Sequence, residues 1–209
     1  MTFCVSIGVS SNHNDTSKNL NRRNMSYDIY CYKSKLNKPD LEEAQNVIEV
    51  DEETETISDP ETKLKITKAL MEYNPRLESF DFDYQEIAKL QGTTFDEAKR
   101  GFSHVELNTP EGDLATQITI FDNYVSITVP YWYSGDKSRE VFDKIYSYTK
   151  IIRKTAGYFV YDPQIDNVFD PLTENIFGLD VYQSMTERVE KMKPEQTEIK
   201  SNKPWWKFW

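Results

Sequence analysis

Leu114–Trp132 reads LATQITIFDNYVSITVPYW, two runs of alternating apolar and polar residues joined by Asp122-Asn123. Alternation with a period of two is the mark of a strand with one buried face, and an Asp-Asn step between two such runs predicts a hairpin. With Asp122 and Asn123 in the loop positions that need positive φ, Phe121 faces Tyr124, Ile120 faces Val125 and Ile118 faces Ile127. The interior side is then Ile118, Ile120, Val125, Ile127 and Val129, and Gln117, Thr119, Ser126 and Thr128 lie on the other. A slip of one residue would expose all five aliphatic side chains.

Upstream of the hairpin, FSHVELN reads as a further strand, reversing through Pro110-Glu111-Gly112-Asp113. Downstream, SREVFDKIYSYTKIIRKTAG carries Val141, Phe142, Ile145, Tyr148, Thr149, Ile152 and Ala156 as a helical stripe. Ser138 is its expected cap and Gly157 its terminator. YFVYD, closed by Pro163, is the next strand, and VYQSMTERVEKM a peripheral helix. Nearer the N-terminus, SYDIYCYK alternates Tyr27, Ile29 and Cys31 with Asp28, Tyr30 and Tyr32. Asp40 and Glu43 resemble a capping box for a helix through Leu41, Ala44, Val47 and Ile48. The acidic DEETETISDPET is expected to be a solvated loop. A second helix places Leu64, Ile66, Leu70 and Tyr73 near one side, and a third carries Tyr84, Ile87 and Leu90. Thr94 to Glu97 is a capping-box pattern for a fourth. These elements predict an α+β fold, a central antiparallel sheet with helices packed on one face.

The 209 residues divide by composition into 1–24, a polar extension expected to be disordered, 25–192, a single α+β domain, and 193–209, a tail ending in WWKFW. Met25 is a candidate functional start. The net charge of -10 repels phosphate backbones, so nucleic acid is not an expected partner; such acidity reads first as solubility, and it also suits a basic protein partner through electrostatic steering. Two cysteines without Cys-x-x-Cys spacing suit a reducing cytoplasm, and no apolar run is long enough to span a bilayer.

Chemistry-bearing patterns are scarce. Only His13 and His104 could serve a nucleophile as base, and His104 reads as a structural or surface residue with no positioned cysteine beside it. Seven glycines form neither a dinucleotide fingerprint nor a phosphate-binding loop, so no cofactor is expected. Asp162, Asp166 and Asp170 offer oxygens for a hard cation, yet Asp-Pro and Asp-Asn steps are turn chemistry and match no calcium loop. No catalytic or metal-ligating set is assigned.

Partner-binding candidates are aromatic. Tyr131, Trp132 and Tyr133 end a strand where alternation sends large rings to both faces, either as interface anchors or as closure of the core against the long helix. Exposure of Trp132 separates the two. Trp205, Trp206 and Trp209 in the tail either dock on the domain or form a partner-binding or membrane-surface peptide with Lys203 and Lys207.

Met25–Lys33 (MSYDIYCYK) and Tyr161–Gln164 (YDPQ) resemble the opening and closing motifs of a type of small, uncharacterised bacterial protein. Some of those sit beside secreted toxins, so the resemblance implies a cytoplasmic immunity protein that neutralises a toxin, and it adds Asp162 and Gln164 to the candidate binding residues. It covers Met25–Leu172, and neither the N-terminal extension nor the tail. The leading expectation is therefore a non-enzymatic protein-binding protein. The alternatives are a hydrolase-like enzyme gathering Asp162, Glu106, His104 or Tyr131 into a carboxylate-based site, and a scaffold or membrane-surface protein acting through the tail.

Overall fold

The hairpin forms in the predicted register, Ile118 opposite Ile127 and Ile120 opposite Val125, with the Phe121 amide donating to the Tyr124 carbonyl at 2.9 Å. Its turn is different: neither Asp122 nor Asn123 has positive φ. Tertiary contacts replace the backbone preference. The Asp122 carboxylate accepts from the Asp59 amide (2.7 Å) and pairs with the Lys63 ammonium (3.0 Å). The Asp122 carbonyl accepts from the Tyr158 hydroxyl (3.3 Å), and the Asn123 carbonyl from the Lys33 amide (3.0 Å).

A computed structural model describes residues 26–49, 59–174 and 178–192. In chain order the elements are β1 (Ser26–Tyr32), α1 (Leu41–Glu49), α2 (Pro60–Tyr73), β2 (Glu78–Ser79), α3 (Tyr84–Gln91), α4 (Phe95–Gly101), β3 (Val105–Asn108), β4 (Gln117–Ile120), β5 (Tyr124–Pro130), α5 (Asp136–Ala156), β6 (Phe159–Asp162), β7 (Asn167–Phe169) and α6 (Leu179–Met192). The strands form one antiparallel sheet ordered β2-β3-β4-β5-β1-β6-β7, an α+β architecture. The expected extension, tail and most of the acidic loop lie outside the described residues.

One sheet face carries the main core. Tyr27, Ile29 and Cys31 of β1 and the five predicted hairpin aliphatics meet Ile66 and Leu70 of α2, the α5 stripe, and Tyr182 and Val189 of α6. Burying the five aliphatics contributes roughly 1.5 to 3 kcal/mol each before chain entropy is subtracted. On the opposite face α1 covers a smaller cluster of Tyr32, Ala44, Phe159 and Tyr161 at the β1–β6–β7 side.

Several local expectations are corrected. Asp59 caps α2, and Pro60–Thr62 form its first turn, so helix begins inside the segment read as loop. That helix buries Lys63, Ile66 and Leu70, while Leu64 and Tyr73 are exposed. Lys63 turns inward because its ammonium meets Asp122 and donates to the Ser103 carbonyl at 3.0 Å. Leu90 of α3 is exposed, and Ala88 is the buried residue of that helix. Asp40 accepts from the Glu43 amide, but Glu43 reaches Ser34 and the Lys35 amide rather than closing the box. In α4 the box does close, between Thr94 and Glu97. Helix α5 starts at Asp136 behind Gly135, so Ser138 lies within the first turn, buried, and its hydroxyl donates to the Gly135 carbonyl (2.6 Å). Gly157 ends the helix in the left-handed region as expected. Strand β7 and the two-residue β2 were not foreseen; neither shows a run long enough to carry a period.

Candidate functional site

Alternation along β5 continues past its last residue. Tyr131 enters the core, 4% exposed, whereas the next residue, Trp132, is 48% exposed. Tyr131 is fixed by a ring contact with Tyr182 (centroids 5.2 Å) and an edge contact with Tyr27 (6.2 Å). The Tyr182 hydroxyl donates to the Pro130 carbonyl at 2.6 Å, and the Tyr133 hydroxyl accepts from the Ala115 amide at 2.6 Å. Both neighbours of Trp132 are thus anchored, and the indole is presented on a rigid corner. Of the three candidates, Tyr131 closes the core, Tyr133 is half-buried, and Trp132 keeps about half of its surface exposed.

Asp162 ends β6 fully buried, and the Tyr27 hydroxyl donates to its carboxylate. The Gln164 amide donates to the other oxygen at 3.0 Å. With its amide oriented to satisfy the surrounding acceptors, the Gln164 side chain bridges Asp162 (2.9 Å) and the Asp28 carbonyl (2.7 Å). Burial pushes the Asp162 carboxyl up to about 6, against the lowering effect of the Tyr27 hydroxyl and nearby backbone amides. Tyr131 rises to about 12, first by burial and then through the negative charges of Asp28 and Asp162. The structure therefore gathers Tyr131, Asp162 and Gln164 around the start of β1. Asp162 is inaccessible there and acts as a structural acceptor.

Each acidic or basic candidate raised by the sequence has a distinct place. Asp166 sits in the β6–β7 turn at φ 49°, and Asp170 pairs with Arg153 at 2.8 Å. The three aspartates do not converge, and among the described residues no group of three or more metal-ligating side chains occurs. His104 stands 3.6 Å from Glu106 and within ring contact of Phe82, Phe102 and Phe121. Glu106 pairs with Thr119 on the sheet face opposite the main core, while Asp162 lies in that core's layer. Strands β3 and β6 are four spacings apart, about 19 Å. His104, Glu106, Asp162 and Tyr131 therefore do not form one constellation. Trp205, Trp206 and Trp209 lie outside the described residues.

Sequence reasoning placed Gln117, Thr119, Ser126 and Thr128 on the face opposite the main core but did not extend these rows beyond the hairpin. Register aligns Glu78, Asn108, Gln117, Thr128 and Asp28 across five strands, and beside them Glu106, Thr119, Ser126, Tyr30 and Tyr161. Asp28 accepts from Thr128 (2.7 Å) and Ser26 (3.1 Å), with its carboxyl held above the usual range by burial. The signal was present in the alternation, but strand order was needed to join the rows.

These features define an antiparallel α+β protein with, among the described residues, a half-exposed indole at Trp132 and a sheet face carrying acidic and hydroxyl side chains. Compared with family models, curated proteins and solved structures, the chain gives no match.

Proposed function

We propose that this is a non-enzymatic protein-binding protein, and that its concrete role is the one implied by the MSYDIYCYK and YDPQ motifs, neutralisation of a toxin. The observation carrying the reading is Trp132, half-exposed between two anchored tyrosines. A large ring held rigid in the free protein loses little side-chain freedom on binding, which is what an interface anchor requires. The charge of -10 supports a basic partner by steering. Among the described residues no helix is long and apolar enough to cross a membrane.

Affinity capture from the source cells, with wild type and Trp132→Ala as parallel baits, tests this. The reading expects a basic protein retained by wild type and depleted about tenfold or more on the variant, and a growth defect from that protein that is relieved by co-expression. Identical capture by both baits contradicts it.

A further inference from the structure

The acidic face supplies a surface of defined chemistry. Helix α1 covers it at the β1–β6–β7 side, and Phe82 and Phe102, beside α3 and α4, close on His104 and Phe121 at one end of β3 and β4, with Glu78, at the β2 edge, exposed. Glu78 and Asn108 are register partners, about 5 Å apart, and Glu106 lies two residues along β3, about 7 Å away on the same face. Each is a hydrogen-bond acceptor, and among the described residues no lysine or arginine pairs with Glu78, Glu106 or Asp28.

Asn108 provides an independent sign. The residue is 2% exposed, and among the described residues its amide oxygen has no hydrogen-bond partner. A buried carbonyl oxygen without a donor is costly, about 1 to 3 kcal/mol, so such groups call for a function. What is missing is a hydrogen-bond donor. Its neighbours in register, Glu78 and Gln117, have long flexible side chains able to swing aside.

We propose that this part of the face receives a basic segment of the protein partner, with an arginine side chain donating to the Asn108 amide oxygen between the Glu78 and Glu106 carboxylates. A guanidinium has five donors in a planar fork, enough to serve a neutral acceptor and two carboxylates together, which an ammonium does less well. Asp28, three strands away in the same row, extends the acidic track toward the end of β5 that leads to Trp132. The inference rests on the protein-binding reading and names the surface that accompanies the indole.

Acetylated hexaarginine amide, titrated into the full chain and followed by calorimetry and by the Asn108 carboxamide signals in NMR, is the probe. The double variant Glu78→Gln/Glu106→Gln should lose about tenfold in affinity, while the charge-matched Glu187→Gln/Glu190→Gln on α6 loses less than about twofold. The Asn108 carboxamide should shift on titration. Equal losses in both variants, or an unmoved Asn108 signal, overturn the inference by reducing the effect to net charge. Against the captured partner the two claims separate. Weakening by Trp132→Ala but not by Glu78→Gln/Glu106→Gln sinks only the arginine seat, and no weakening by Trp132→Ala sinks the binding reading itself.

Discussion

Lys63 and Asp122 show how one buried pair replaces a backbone preference. The ammonium is held by the Asp122 carboxylate and the Ser103 carbonyl, and the same carboxylate caps the Asp59 amide. Lys63→Met leaves Asp122 without its cation inside the structure, and breaking such a pair from one side costs about 3 kcal/mol. Thermal unfolding should fall by roughly 6 to 12 °C, and the double variant Lys63→Met/Asp122→Asn should recover part of that loss. Strict additivity of the two changes would show that they do not act as a pair. Asp162 acts through pH. Its folded value of about 6 lies above the ordinary carboxylate range, so the native state holds this proton more tightly than the unfolded chain. The contribution is fully present below about pH 4 and is lost as pH rises through 6, about 3 kcal/mol in all. Asp162→Asn has no proton to lose, so its stability measured from pH 4 to 7 should lack that decline. Parallel curves for the two proteins would remove the assignment.

At the scale of elements, α6 is positioned by Gly178. A Cβ there would come 1.9 Å from the Tyr27 hydroxyl oxygen and 2.9 Å from an Asp162 oxygen, and the backbone holds φ +83°. Gly178→Ala is therefore expected to destabilise by about 3 kcal/mol, from overpacking and backbone strain together. Removing the hydroxyl with Tyr27→Phe should relieve part of it, as read in urea unfolding; a double variant no better than the sum contradicts the close approach. Local patterns made much of the fold legible beforehand. Ile118–Ile120 and Val125–Val129 alternate, and α5 repeats its apolar stripe over about four turns from Val141 to Ala156, so sheet face and helix face follow from period. What escaped depended on partners distant in sequence. Lys63 reads as a surface residue until Asp122, 59 positions later, is placed beside it, and Tyr27 meets Asp162 across 135 positions. The site divides in the same way. Alternation made a large exposed ring near Trp132 readable, whereas the row from Glu78 to Asp28 exists only once β2, β3, β4, β5 and β1 are in order.

For the whole molecule, the sheet separates two tasks. One face holds the core that fixes Tyr131 and Tyr182, and so presents Trp132. The other displays acceptors with few cations of its own, within a chain of net charge -10. Long-range attraction acts mainly on the rate of encounter, and a desolvated ring mainly on the rate of departure. The most direct measurement is stopped-flow association of the captured partner with wild type and Trp132→Ala, at about 50 mM and about 500 mM salt. The account predicts an association rate that falls about tenfold or more with salt for both proteins, and a dissociation rate that rises about tenfold only for Trp132→Ala. Association indifferent to salt, together with a dissociation rate unchanged by loss of the indole, would contradict it.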